Sequence, residues 1–385
     1  MILQNRLLIF FFPIILGIIS SFSLPPYNFF FINFITFPLL FIFFISNYKK
    51  GKIISFCIGW IFGFGYFISS LYWLTHSLTF EEIYKPLIPF ALILIPLFLG
   101  IFYGLVTLIS SMFNLNNKVS SILIFSIIFG SVEYIRGFVL SGFPWNLIVF
   151  SLTEYLPMIQ ILSLVGTYSL NLLVINIFLI PSVIFFKYGK KEKLIFIFST
   201  LLLLIFNYLY GLSILKKDLS VKKTDLNFLV KIISPKVEIN KFFQNHDPYE
   251  LIDELIKLSS PNKFENSIFI FPEGTFASVY LNDLHQFNKL FSKNFSKNHK
   301  IILGINRANN NKVYNSMAVI DKDTNVLQIY DKNKLVPFGE FLPLESLLNK
   351  FGLKKITPGY GSFSKSFERE IIEINGIKFL PLICY

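Results

Sequence analysis

The stretch Tyr330-Asp331-Lys332-Asn333-Lys334-Leu335-Val336-Pro337-Phe338-Gly339-Glu340-Phe341-Leu342-Pro343 decides the reading of this chain. Two lysines and a glutamate bracket a Pro-Phe-Gly turn, after the alternating segment Met317-Ala318-Val319-Ile320. Upstream, Glu273 sits in a second turn, Phe271-Pro272-Glu273-Gly274. Downstream, Cys384 closes the apolar run Phe379-Leu380-Pro381-Leu382-Ile383-Cys384, read as a strand. A base, a cation and a thiol, each at the end of a predicted strand, are the parts of a covalent acyl-transfer site. Everything before residue 216 reads as the membrane platform that holds it.

Composition separates the two parts. Of 385 residues, 54% are apolar, 48 are Phe and only 15% are charged, and the mean hydropathy is +0.60. That is a membrane composition rather than a string of soluble domains. A net charge of +12 would suggest nucleic-acid binding in a soluble protein. Here many basic residues occupy short loops between apolar runs, where bilayer orientation accounts for them, so no nucleic-acid partner is expected. Cys57 lies in an apolar run and Cys384 in the polar third, which argues against a disulfide framework. Taken alone, each cysteine reads as a small buried hydrophobe.

The first apolar run, Leu7 to about Ser23, has no small-residue cleavage site after it; Leu24-Pro25-Pro26-Tyr27 reads as a tight loop. Further runs lie near 29–46, 53–74, 88–113, 120–137, 158–186 and 194–214. Each approaches or exceeds the roughly 18 residues that cross a hydrocarbon layer. About seven spans result, with 158–186 long enough to be tilted or partly interfacial. Arg6, Lys49, Lys50, Lys52, Lys118, Lys187, Lys190, Lys191 and Lys193 fall on one side of such a topology, and Lys85 and Arg136 on the other. The positive-inside rule then puts the N-terminus in the cytoplasm and residue 216 on the outer face. The expected domains are 1–215 in the membrane and 216–385 outside it.

Two membrane stretches carry more than hydrophobicity. Gly59, Gly63, Ser69 and Ser70 permit close helix approach, and Tyr72 and Trp73 suit an aromatic belt. Glu133 and Arg136 stand at i, i+3 on one helical face, ahead of Ser141-Gly142-Phe143-Pro144-Trp145, and so can pair. Intramembrane ionisable residues are functional candidates; a pair that merely fixes a helix end is the plainer alternative.

From Thr224 the texture changes. Strands are predicted at Asn227–Val230, Ser267–Phe271, Ile301–Gly304, Val326–Tyr330, Ile371–Ile374 and Phe379–Cys384, with helices over Tyr249–Leu258 and Asp283–Phe295. This mixture indicates an α/β or α+β sandwich. An isolated Pro-Glu-Gly is most simply a surface turn, but Glu273 at the end of a buried strand can be desolvated into a general base. Lys332 at a strand exit can stabilise an oxyanion. Alternation would put Lys334 on its face, where repulsion between the two lysines favours a neighbouring thiolate. Glu340 is the natural counter-charge.

These residues resemble the apolipoprotein N-acyltransferases, bacterial inner-membrane enzymes with a nitrilase-like carbon–nitrogen hydrolase domain. The likeness runs through Leu24–Tyr27, Gly59–Trp73, Glu133–Trp145 and Gln160–Gly166. It continues in Phe271-Pro272-Glu273, Tyr314-Asn315-Ser316, Tyr330–Pro343, Thr357-Pro358-Gly359 and Leu382-Ile383-Cys384-Tyr385. It implies an αββα sandwich and a triad of Glu273 as base, Lys332 as oxyanion stabiliser and Cys384 as nucleophile. Glu340, Lys334 and Tyr385 fall in supporting places, and Glu133, Arg136 and Trp145 are the candidates in the membrane part. The implied reaction is ping-pong. Cys384 takes the sn-1 acyl chain of a phospholipid, typically phosphatidylethanolamine, as a thioester, and the α-amino group of a diacylglyceryl-cysteine lipoprotein then receives it. No metal or soluble cofactor is implied. Two other readings stand beside this one: a membrane-tethered amidase with the same triad and water as acceptor, and a non-enzymatic scaffold or transporter.

The chain departs from the family pattern in three places. Lys334 stands where histidine is usual, and Phe242 or Phe243 where a tryptophan is usual in the stretch Pro235–Phe243. The sequence also stops at Tyr385, so the expectation is a fragment of a longer enzyme, inactive alone.

Overall fold

The computed structural model describes residues 6–79, 82–115, 118–186, 189–217, 228–235, 247–343, 345–348, 350, 362–368 and 370–384. The chain forms two compact units, Met1–Leu219 and Ser220–Tyr385.

The first unit is helical. Its main helices are α1 (Arg6–Ser21), α2 (Asn33–Asn47), α3 (Lys52–Ser70), α4 (Ile88–Ser110) and α5 (Val119–Arg136), then the short α6 (Leu156–Ile159) and α7 (Leu162–Val165), α8 (Thr167–Leu179) and α9 (Lys190–Lys216). Among the described residues, six stretches, taken with their 3₁₀ extensions, are long and apolar enough to cross a membrane: Phe30–Lys50, Lys52–Ser70, Glu82–Ser110, Val119–Arg136, Thr167–Phe185 and Lys190–Lys216. The first apolar helix is shorter, Ile9–Ser21. The expected single run at 158–186 is broken. Gly166, at φ +77°, ends α7 and starts α8 in a conformation that other residues rarely take.

Packing, not water exclusion, holds such helices together in lipid. On α2, Phe37, Phe41 and Phe44 follow i, i+4, i+7 spacing and are all fully buried. Phe37 meets Phe129 at 5.7 Å and Phe41 meets Phe125 at 5.1 Å between ring centroids, contacts worth about 0.5–1.5 kcal/mol each beyond their area. Between α3 and α4, Gly59 brings the backbones together: a Cβ there would sit 2.1 Å from the Tyr103 carbonyl oxygen.

The second unit is built on a mixed six-stranded sheet. Its strands are β1 (Leu229–Ile232), β2 (Ser267–Ile270), β3 (Phe276–Tyr280), β4 (His299–Asn309), β5 (Lys312–Ile320) and β6 (Val326–Asp331). The order is β1-β2-β4-β5-β6, parallel from β1 to β4 and antiparallel from β4 to β6, with β3 pairing β4. Period-2 alternation divides the side chains between two faces. Phe269, Ile301, Leu303, Ile305, Ala318 and Ile320 share one core with Ile252, Leu255 and Ile256 of α10 (Pro248–Ser259) and Leu290 and Phe291 of α11 (Asn288–Asn294). Ile268, Ile302, Val319 and Tyr330 share the other with Ile372, Ile374 and Ile383. There the second layer is the hairpin of β7 (Ile372–Ile374) and β8 (Ile377–Phe379). Helices, sheet and second sheet thus stack as the first three layers of an αββα sandwich.

Several segments depart from the predicted ones. The helix over Asp283–Phe295 is a 3₁₀ turn, Leu281–Phe287, followed by α11. Residues 380–384 are not a strand: β8 stops at Phe379, and Pro381 has no N–H for a ladder.

Candidate active site

Each polar side chain at this site is carried by a specific backbone feature. Glu273 lies in the turn after β2 and Phe271, with Gly274 at φ +69°. That turn runs tightly against β4. A Cβ on Gly304 would lie 2.3 Å from the Pro272 carbonyl oxygen and 2.7 Å from Glu273 Cα, so only glycine leaves Glu273 where it is. Lys332 is the first residue beyond β6. Its amide donates to the Asn315 carbonyl at 2.8 Å, and its own carbonyl accepts from Ser366 N at 3.0 Å. Glu340 closes the Val336–Phe341 turn: its amide donates to Val336 O at 2.8 Å, and Val336 N donates to its Oε2, also at 2.8 Å. On the opposite face of the ladder, Asp331 accepts from Ser316 Oγ at 2.6 Å and from both Nε and Nη2 of Arg307, which fixes the strand end before Lys332.

These features converge on one network. Lys332 Nζ donates to Glu273 Oε1 at 3.1 Å and to Glu340 Oε1 at 3.0 Å. Asn315 Nδ2 donates to the same two oxygens, at 2.7 Å each. Exposure is graded: the side chain of Lys332 is 3% exposed, that of Glu340 11% and that of Glu273 39%. Glu340 is therefore the buried counter-ion and Glu273 the carboxylate that opens outward. Burial alone would push the Lys332 ammonium down. The hydrogen bond and charge of Glu340, with the charge of Glu273, outweigh it and hold Lys332 above its ordinary value.

Cys384 lies in the electric field of this network. It is exposed and takes φ +61°, while its neighbour Ile383 is buried in the inter-sheet core and anchors the segment. Burial of its flank pushes the thiol up, Lys332 opposes, and Glu273 and Glu340 push it further up; the net is a raised value. The thiol is thus protonated at rest and needs a base. Its exposure corrects the reading of Cys384 as a small buried hydrophobe, and the irregular segment corrects its place at a strand end. The alternation expected to align Lys332 with Lys334 also fails, because β6 stops at Asp331; Lys332 is buried and Lys334 half-buried. Tyr385, Phe242, Phe243 and Thr357–Gly359 lie outside the described residues.

In the helical unit, Glu133 and Arg136 pair with Nη2 to Oε1 at 3.4 Å, both fully buried. Glu133 also accepts from Tyr103 OH at 3.0 Å and from Asn171 Nδ2. Arg136 Nη1 donates to the carbonyls of Phe143 and Trp145 at 2.8 and 2.9 Å. The Trp145 ring packs on Phe143 at 5.2 Å and on Trp73 at 5.7 Å. The pair therefore does more than end a helix: it pins the loop that follows α5. Sequence reasoning missed Tyr103 and Asn171, and it placed Asn315 only in the stretch Tyr314-Asn315-Ser316 with no role, because their partners sit on other elements.

Comparison with known proteins bears on both units. Residues 16–180 match the family model of the apolipoprotein N-acyltransferase N-terminal domain, and residues 265–385 that of carbon-nitrogen hydrolase. The chain belongs to the apolipoprotein N-acyltransferase family. Proteins named apolipoprotein N-acyltransferase from Rhizobium etli, Rhodopseudomonas palustris and Agrobacterium fabrum are each 28% identical to it, over 96% of this chain and 72% of theirs. As a member of that family, the chain is a multi-pass membrane protein with a nitrilase-like domain after its helices.

Proposed function

We propose that this protein N-acylates lipoproteins. In this reading it moves an acyl chain from a membrane phospholipid to the α-amino group of a diacylglyceryl-cysteine apolipoprotein through a thioester on Cys384. The observation that carries the reading is the network in which Lys332 joins the half-exposed Glu273 to the buried Glu340, with Cys384 in its field.

In the first half-reaction Glu273 takes the Cys384 thiol proton as sulfur attacks the ester carbonyl. Lys332 donates its third ammonium hydrogen, which has no acceptor among the described residues, to the oxygen that becomes negative. The tetrahedral intermediate collapses with loss of the glycerol oxygen, Glu273 returns the proton to it, and lysophospholipid leaves. In the second half-reaction the acceptor amine attacks the thioester, Glu273 takes the amine proton, and the amide forms as the thiol is restored. A phosphatidylethanolamine-like donor with its sn-1 chain, a bacterial inner membrane, a cytoplasmic N-terminus and an outward-facing catalytic domain all belong to this proposal. The loop charges support the orientation.

The test is intact-mass analysis of the protein in vesicles whose phospholipid carries a labelled sn-1 chain. One acyl mass on Cys384, discharged by a diacylglyceryl-cysteine peptide and absent in Cys384→Ser, supports the proposal. Equal discharge to free fatty acid with and without the peptide identifies a hydrolase instead. Activity that survives Cys384→Ser points to a scaffold.

A further inference from the structure

Asn315 lies in β5, on the face that also carries Met317 and Val319, with its side chain nearly buried. Its amide nitrogen reaches two carboxylates at once, 2.7 Å from Glu273 Oε1 and 2.7 Å from Glu340 Oε1. Ionised carboxylates only accept, so the NH₂ and not the carbonyl must face them. Both of its hydrogens are then committed, one to each. Together with Lys332 Nζ this closes a four-atom ring, Nδ2–Oε1–Nζ–Oε1, in which two donors alternate with two acceptors.

The ring treats the two glutamates differently. Glu340 Oε2 accepts from Val336 N, so both of its oxygens are occupied. Glu273 has both donors on Oε1, and Oε2 has no donor among the described residues. A carboxylate gripped on one oxygen by two donors cannot turn freely about its last bond, and only the other oxygen stays open to a proton. One ammonium shared by two carboxylates leaves a surplus negative charge. The neutral amide separates the pair without adding to that charge.

We propose that Asn315 is a positioning residue for acyl transfer: it holds Glu273 by Oε1, so that Oε2 is the oxygen that receives the Cys384 proton. This rests on the acyl-transfer reading above. The backbone supports it, because the Asn315 carbonyl accepts the Lys332 amide and so holds the two donor residues side by side. Among the described residues, the charged or titratable groups in this network with Glu273 are Lys332, Glu340 and Cys384. Loss of a donor from an ionised carboxylate disfavours its charged form, so a base deprived of Asn315 needs a higher pH.

The experiment follows single-turnover thioester formation on Cys384 against pH, for the intact protein in phospholipid vesicles. The enzymes compared are wild type, Asn315→Ala and the near-isosteric Asn315→Asp, each scaled to its folded fraction by thermal unfolding. Asn315→Ala is expected to slow the step about ten- to a hundredfold near neutrality, the range of one charge-assisted hydrogen bond, and to move the acid limb upward. Asn315→Asp, which replaces the donor with a third carboxylate, is expected to be slower still with a larger displacement. An unmoved acid limb in both variants, or Asn315→Asp closer to wild type than Asn315→Ala, shows that the side chain only fills space and overturns the proposal. Absence of any Cys384 adduct in the wild type sinks the acyl-transfer reading itself. An adduct with unmoved limbs sinks only the role of Asn315.

Discussion

The Lys332 amide donates to the Asn315 carbonyl at 2.8 Å, and both side chains then donate to the same oxygen of Glu273. A backbone rung thus holds the two residues side by side, with both side chains in reach of one carboxylate oxygen. Four consequences can be measured.

Replacing Lys332 separates chemistry from stability. Lys332→Met removes the oxyanion donor and is expected to slow thioester formation about 10²–10³-fold. It also leaves Glu340 buried without its cation, at a cost of about 3–5 kcal/mol. Adding Glu340→Gln should recover much of the thermal stability and none of the rate. A double variant no more stable than Lys332→Met speaks against the buried pair.

The thiol reports the surrounding charges. Cys384 is held above its ordinary value, with Glu273 raising it and Lys332 lowering it. In a Cys57→Ser background, iodoacetamide alkylation of Cys384 should therefore move to lower pH in Glu273→Gln and to higher pH in Lys332→Met. Acyl transfer should fall in both. Shifts of the same sign are incompatible with this arrangement.

Gly304 tests the turn. In Gly304→Ala the new methyl meets the Pro272 carbonyl at 2.3 Å and Glu273 Cα at 2.7 Å. Both are main chain, so the Glu273 turn must shift. A misplacement of about an ångström costs on the order of 10²-fold in rate. Thioester formation by the purified variant checks this, and unchanged kinetics would show that the turn has slack.

Glu133 and Arg136 invite a double-mutant cycle. Each is fully buried and hydrogen-bonded, so Glu133→Gln or Arg136→Met alone is expected to cost about 3–5 kcal/mol. Together they should cost clearly less than the sum, read by thermal unfolding in detergent. Strict additivity would mean that the two charges do not sense each other.

The membrane half was legible because a span declares itself by length and apolarity alone. The first apolar run forms a shorter helix than expected, Ile9–Ser21, and the run at 158–186 breaks at Gly166 before the span Thr167–Phe185; nothing in a hydropathy profile separates a glycine inside a helix from one at its end. The sandwich was legible from short apolar strands interleaved with an amphipathic helix. Cys384 was assigned to a strand because the apolar run outweighed Pro381. Glu273, Lys332 and Glu340 stood out through turns and charge. Asn315 stood out only within the resembling stretch Tyr314-Asn315-Ser316, with no role: a single asparagine within a strand carries no local signal of its own, and its partners become neighbours only when the sheet assembles. Tyr103 and Asn171 were hidden for the same reason, each meeting Glu133 from another helix.

The order of the network along the chain has a consequence for biosynthesis. Glu273, Asn315, Lys332 and Glu340 all leave the ribosome before Cys384, and Asn315 lies within a meander of sequential strands, β4 to β6, that Lys332 directly follows. Domains fold largely as their segments emerge. The reactive sulfur therefore joins the chain only after the acid and the ammonium that govern it have been made.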